Sequence, residues 1–340
     1  MFIHCDGDVL DPLNRDENEA EADASMWRNR LKHADQENIA LAVASSVYKY
    51  YEETGQTYQA YKDGENSFSK DKMKMDRLDL QHQLFHITLG GKLYASPMNE
   101  NPLDVLDIAT GDENWVLDFA SRNPAASIIA NDSNPVQLKF APPNIVFEVA
   151  DANETWTYGH QFDFIHCRQH HRRIEEHKLF EQSIQFLKPG GWIEMQELCN
   201  PVTCDDGTLT EGSPLTKWGR LIVEASARVK KNSNNPASYE SWMRQAGFTN
   251  VRTEVHKWPT NSWPEDEKEK LKGLWNLYNV LDRLQVFTVA LFTKVLGWAR
   301  EDVDAFLVDV SAELQNRDVH AYWPVYIVYG QKPLPVSSGR

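Results

Sequence analysis

Between residues 101 and 197 the chain alternates short apolar runs with helical stretches, and this rhythm limits the fold more than any other feature. Val105-Leu106-Asp107-Ile108-Ala109 reads as a buried strand and residues 113–122 as a helix. Ser127-Ile128-Ile129-Ala130 is a second strand, closing at Asn131-Asp132, and Ile145-Val146-Phe147-Glu148-Val149 a third, closing at Asp151. Phe162-Asp163-Phe164-Ile165-His166 is a fourth, followed by a helix to Leu187. Lys188-Pro189-Gly190-Gly191 then turns into a fifth strand, 192–196. Continuous apolar runs separated by helices imply right-handed crossovers and a parallel sheet covered on both faces.

Outside this stretch the pattern changes. Residues 1–25 hold eight acidic side chains against Arg15 alone, a density that does not support a packed core. Ile39, Val43, Val47, Tyr50 and Tyr51 follow helical spacing up to Gly55, and a second helix spans 75–89. Beyond Glu197 come long helical stretches over 215–231 and 266–296, a shorter segment at 239–247, a strand at 251–256 and a closing aromatic strand over 321–330. The expected organisation is an acidic lead-in (1–38), an N-terminal helical segment (39–100), a ligand-binding core (101–200), helical lid insertions with the closing strands of the same domain (201–333), and a tail (334–340).

With a net charge of −15, sequence-independent nucleic-acid binding and an anionic membrane surface are both disfavoured. No apolar run spans a bilayer and no export signal is visible, so a cytoplasmic or nuclear location is expected. The four cysteines match no metal or redox spacing and are expected as reduced thiols. His82 and His86 sit at i, i+4 without a visible third ligand, so no metal site is expected.

In such sheets, ligands bind beyond the carboxyl ends of the strands. The first strand end carries Asp107 and Gly111, the second Asp132, and the third Asp151 and Ala152. An acid about 20 residues beyond the first turn is placed to hold a ribose diol, and a carboxylate or amide at the third strand can meet an adenine amino group. The fourth end leads to His170 and His171, whose ordinary pKa suits general-base chemistry. A solvated basic loop, 168–173, is the alternative role for that run, as is anion binding by Arg172 or Arg173.

Five fragments in order, Arg77-Leu78-Asp79-Leu80-Gln81-His82, Asp151-Ala152, Phe162-Asp163-Phe164-Ile165-His166, Leu187-Lys188-Pro189-Gly190-Gly191-Trp192-Ile193-Glu194 and His320-Ala321-Tyr322-Trp323-Pro324-Val325-Tyr326, resemble the fungal LaeA-like methyltransferases dependent on S-adenosylmethionine (SAM). The resemblance implies a class I methyltransferase fold: a Rossmann-like α/β architecture with a seven-stranded, mostly parallel sheet whose last strand is antiparallel, plus N-terminal helices and helical lid insertions. It implies SAM as cofactor and a small apolar natural-product-like substrate of secondary metabolism.

One loop departs from the family. Where the pattern is Asp-x-Gly-x-Gly-x-Gly, this chain has Asp107-x-Ala109-x-Gly111-x-Glu113. A methyl group at 109 is absorbed if φ there is negative. A carboxylate at 113 pointing inward, about 4 Å from that of the cofactor, would repel it by about 4 kcal/mol at an effective dielectric near 20. Three functions therefore stay open: small-molecule methyl transfer; a cofactor-independent cyclisation, isomerisation or rearrangement on the same scaffold, with SAM lost or vestigial; and a LaeA-like regulatory protein with a protein partner.

Overall fold

A computed structural model describes residues 77–99, 102–111, 113–133, 141–170, 174–231 and 233–335. The acidic lead-in, the helix expected over Ile39–Tyr51, Asp112, His171, Arg172 and Arg173 lie outside the described residues. Helix α1 (Arg77–Thr88) precedes β1 (Asp104–Ile108), α2 (Asn114–Arg122), β2 (Ser127–Asp132), β3 (Ile145–Val149), β4 (Phe162–Arg168), α3 (Glu176–Phe186) and β5 (Leu187–Leu198). The second half adds α4 (Pro214–Arg228), α5 (Tyr239–Gln245), β6 (Thr249–Pro259), α6 (Glu267–Ala290), α7 (Arg300–Gln315) and β7 (Tyr322–Gln331).

All seven strands form one sheet in the order β3-β2-β1-β4-β5-β7-β6. β1 to β5 run parallel, and β7 inserts antiparallel between β5 and β6. The order reverses direction beside β1, which places the switch-point crevice over the carboxyl ends of β1 and β4. One face of the sheet packs on α2 through Val105, Trp115, Phe119 and Phe164, and the other on α3 and α5 through Ile165, Phe180 and Tyr239.

The strand boundaries follow burial. β1 and β4 are largely buried on both faces because helices cover both, which is why they read as mostly apolar runs. β5 begins five residues before the expected 192, at Leu187. The Lys188–Gly191 turn joins the ladder because Gly190 N–H donates to Lys332 O and Lys332 N–H to Gly191 O, each at 2.9 Å. β5 also carries Glu194, fully buried, whose carboxylate accepts from Ala95 N–H, from Ser96 N–H at 2.7 Å and from Gln196 Nε2 at 2.8 Å. Those bonds fasten the segment after α1 across the sheet face.

The helical insertions assemble their own core from Leu215, Trp218, Leu281, Phe292, Leu307 and Trp323. α6 ends in a π turn, Leu291–Val295. It passes Asn261 so closely that a Cβ at Gly273 would lie 2.0 Å from the Asn261 carbonyl oxygen. α7 was not anticipated, although Val303, Leu307, Val310 and Leu314 are buried at helical spacing behind an acidic first turn. No helix among the described residues is long and apolar enough to cross a membrane.

Candidate active site

The loop from β1 to α2 decides whether the crevice can take a nucleotide-like ligand. Ala109, Gly111 and Glu113 all hold left-handed backbone, with φ of 55°, 60° and 59°. The negative φ that would have absorbed the methyl group of Ala109 is not adopted. The turn is instead left-handed at all three positions of the glycine pattern, two of which carry a Cβ and the strain that goes with it. Hydrogen bonds fix that course: Thr110 N–H donates to Asn131 O (3.1 Å), Glu113 N–H to Thr110 O (3.4 Å), and Gly111 N–H to Asp132 Oδ2 (3.0 Å). Glu113 is the N-cap residue of α2, but its side chain does not cap the helix.

Asp132, expected to hold a ribose diol, stands at the tip of β2 with one oxygen accepting from the loop backbone. Asp107 is placed differently. It is buried, and its Oδ1 lies 2.7 Å from His166 Nδ1, the residue paired with it across β1 and β4. Burial lowers the His166 pKa against the pull of Asp107, so a neutral imidazole donates Nδ1–H to the carboxylate. The ring stacks on Trp115 with centroids 3.6 Å apart and planes 6° from parallel. Trp115, whose Nε1–H donates to Leu93 O at 3.0 Å, roofs this pair and packs helix on sheet. The Asp107–His166 pair was missed by sequence reasoning because it depends on strand register; its only sequence signal is that both residues sit at strand ends.

At the third strand end, Asp151 Oδ1 accepts from both the backbone N–H and the side-chain amide of Asn153, each at 2.8 Å, an Asx turn that orders the loop. Ala152 is buried, and its carbonyl accepts from Trp156 Nε1 at 3.1 Å and Gln182 Nε2 at 3.2 Å.

His170 leaves the tip of β4 on the face opposite His166. It is 3 % exposed. Its N–H donates to Glu197 Oε1 at 2.9 Å, and its Nε2 lies 3.1 Å from the Tyr239 hydroxyl. That hydroxyl lies 3.3 Å from Glu176 Oε1, to which it donates, and Asn235 Nδ2 donates to the same carboxylate. Burial, with Glu197 and Glu176 nearby, pushes the Tyr239 pKa far up, so the hydroxyl keeps its proton. The base expected at His170 is thus enclosed in a polar knot joining β4, β5, α3 and α5. Among the described residues, Tyr239 and the glutamates are the groups set to pass a proton to it.

α1 covers the same end of β4. Arg168 Nη2 donates to His82 Nδ1 at 3.1 Å, His82 Nε2 lies 3.4 Å from Asp118 Oδ2, and Asp118 is bridged to Arg122 at 2.8 Å. Burial, the largest influence, lowers the His82 pKa to about 4, which leaves the ring neutral and able to accept from Arg168. His86 Nε2 faces Arg122 Nη2 at 3.1 Å. The i, i+4 histidines are thus engaged with these side chains, and among the described residues no group of three His, Cys, Asp or Glu side chains is disposed to hold a metal ion.

A sheet of this order with its inserted strand reversed, and a left-handed loop leading from β1 to the N-terminus of a helix beside a β2 acid, defines a class I methyltransferase. A methyltransferase-domain family model matches residues 80–253. The chain is 54% identical over 306 residues to the probable methyltransferase tdiE of Emericella nidulans, covering 90% of this chain and 96% of that protein. It is 34% identical to the methyltransferase pytC of Aspergillus terreus (88% and 93% covered). With the secondary metabolism regulator LAE1 of Cochliobolus heterostrophus it shares 32% identity (83% and 95% covered). The chain belongs to the fungal LaeA-like methyltransferase family.

The residues present fit the cofactor of that family. The loop backbone is left-handed at all three glycine positions of the pattern, a Cβ at Gly111 would meet nothing closer than Ala109 O at 3.7 Å, and the Asp132 carboxylate stands at the loop.

Proposed function

We propose that this protein binds SAM and methylates a small, largely apolar metabolite in fungal secondary metabolism. The observation that carries the proposal is the left-handed backbone shared by residues 109, 111 and 113, two of which are not glycine. When bound, SAM supplies an electrophilic methyl group. Asp132, aligned by Gly111 N–H, would hold the ribose diol, and the Asp151–Ala152 turn would border the adenine. Gly111 lets the methionine portion approach the loop. Rate would come from holding acceptor and methyl in near-attack geometry under the helical insertions. The three described cysteines are free thiols, which suits a cytosolic or nuclear location.

Calorimetric titration of the purified protein with SAM and with S-adenosylhomocysteine (SAH) tests the proposal, alongside mass spectrometry for nucleoside carried through purification. Micromolar binding of both is expected. No heat at millimolar SAM would overturn it and leave rearrangement chemistry as the better account.

A further inference from the structure

The turn that leaves β4 carries polar groups that neither the cofactor loop nor the His170 knot uses. Gln169 holds a left-handed φ of 49° although it is not glycine. A residue with a Cβ stays there only when its surroundings enforce it. The enforcement comes from two sides. The Gln169 N–H donates to Gln196 O on β5 at 3.0 Å, and its side-chain oxygen accepts from Nε2 of Gln81 on α1. With the oxygen engaged, the Gln169 Nε2 amide is buried and has no hydrogen-bond partner among the described residues. A buried amide donor left in this way is destabilising unless a water or a ligand supplies the acceptor.

Beside it, Arg168 is aligned by the same helix. Its Nη2 donates to His82, and its guanidinium carbon lies 5.0 Å from the centroid of the Phe85 ring. His82 accepts there because burial keeps it neutral; a protonated ring would repel the guanidinium. α1 therefore orients two consecutive donor side chains, one cationic, at the carboxyl end of β4, where the switch-point crevice opens.

We propose that Arg168 and Gln169 bind an oxyanion on the methyl acceptor, a carboxylate or an acidic enol in its ionised form, with Gln81 and His82 as positioning residues. The proposal rests on the methyltransferase reading and names the acceptor class for that site. For such an acceptor an oxygen lone pair forms the new C–O bond, and the methyl C–S bond breaks with its electron pair left on sulfur. The negative oxyanion and the positive sulfonium become a neutral ester or enol ether and a neutral thioether, and no proton moves. An enclosed His170 is no obstacle to that chemistry, because the acceptor arrives already deprotonated.

The test uses two matched probe pairs at neutral pH: 2-naphthoate against 2-naphthamide, and 4-hydroxycoumarin against 4-methoxycoumarin. Binding is followed by tryptophan fluorescence in the full-length protein without SAH. Wild type should bind at least one anion about tenfold more tightly than its neutral match, equivalent to about 1.4 kcal/mol. The naphthoate pair reports a carboxylate acceptor and the coumarin pair an enolate. Gln169→Glu should erase the preference by placing a carboxylate against the anion. Gln169→Gly relieves the left-handed backbone, so it should melt no lower than wild type, and it should lose the preference because the amide is gone. SAH titrated into the same samples should bind all three proteins within about twofold. No anion preference in wild type, or a preference that survives both substitutions, overturns the proposal. Loss of SAH binding in the variants does so too, by assigning Gln169 to the cofactor. Failure of SAH to bind wild type would instead count against methyl transfer, while the anion preference is scored without it.

Discussion

Replacing Ala109 by glycine should stabilise this protein, while replacing the neighbouring Gly111 by alanine should destabilise it. Both positions have left-handed backbone, with φ of 55° and 60°. For a residue with a Cβ that conformation costs roughly 1–2 kcal/mol. Glycine escapes the cost but gives the unfolded chain more freedom, a loss of about 0.4–1 kcal/mol. The net expectation for Ala109→Gly is a gain of about 0.5–1 kcal/mol, and for Gly111→Ala a loss of about the same size. Space does not confuse the comparison, since a Cβ at Gly111 would meet Ala109 O at an ordinary 3.7 Å. The two variants should therefore differ by about 1–2 kcal/mol, read from urea denaturation midpoints at constant m. If Ala109→Gly lowered the midpoint, or Gly111→Ala left it unmoved, the claim that the loop stores left-handed strain would be wrong.

Glu113→Gln should tighten SAM binding roughly fivefold, about 1 kcal/mol, by removing a negative charge from the start of α2; calorimetry giving equal affinities would mean the carboxylate lies clear of the cofactor. Acid should destabilise the fold between about pH 6.5 and 4. His82, with its pKa lowered to about 4, is neutral in the native state, while the unfolded state takes up the proton first. Its contribution is complete above about pH 6.5, and up to about 3 kcal/mol is lost as pH falls to the folded pKa. His86 and His166 are shifted the same way, and His82→Gln should flatten the profile of denaturation midpoint against pH. Gly273→Ala should cost about 3 kcal/mol or more in urea denaturation, because the new methyl would meet Asn261 O at 2.0 Å, and neither α6 nor that backbone can yield without unpacking.

The central parallel strands β1 and β4 were legible because burial on both faces leaves them mostly apolar, with polar residues towards the ligand edge. Helix α2 was legible from its stripe of Trp115, Val116, Phe119 and Ala120. What the chain hid was whatever depends on one element meeting another. The Asp107–His166 bond needs the register of β1 on β4. The enclosure of His170 needs α5 and Tyr239, almost seventy residues downstream, to close over the tip of β4. The role of Arg168 needs α1 to lie across the same tip. Residue type alone made His170 look like an accessible base, whereas its surroundings make it part of a buried hydrogen-bond network.

The altered glycine loop shows the same distinction in energetic form. Losing glycines from a ligand-binding turn has two separate consequences: the backbone can change course, or it can keep its course at a cost. Sequence left the φ of Ala109 open, and the structure holds it in the left-handed region at that cost. Three contacts hold it there, through Asn131 O, Thr110 O and Asp132 Oδ2. All three come from the loop itself or from β2, the strand whose tip bears the acid expected to hold the ribose. The strain is therefore tied to the alignment of Asp132: a loop relaxed to negative φ would carry Gly111 N–H away from that carboxylate. Two non-glycine residues in left-handed backbone, about 2–4 kcal/mol in all before compensation, are a large share of the 5–15 kcal/mol by which domains are stable. That cost marks the loop as a strained turn, and its tie to Asp132 is the physical ground on which the proposed cofactor role rests.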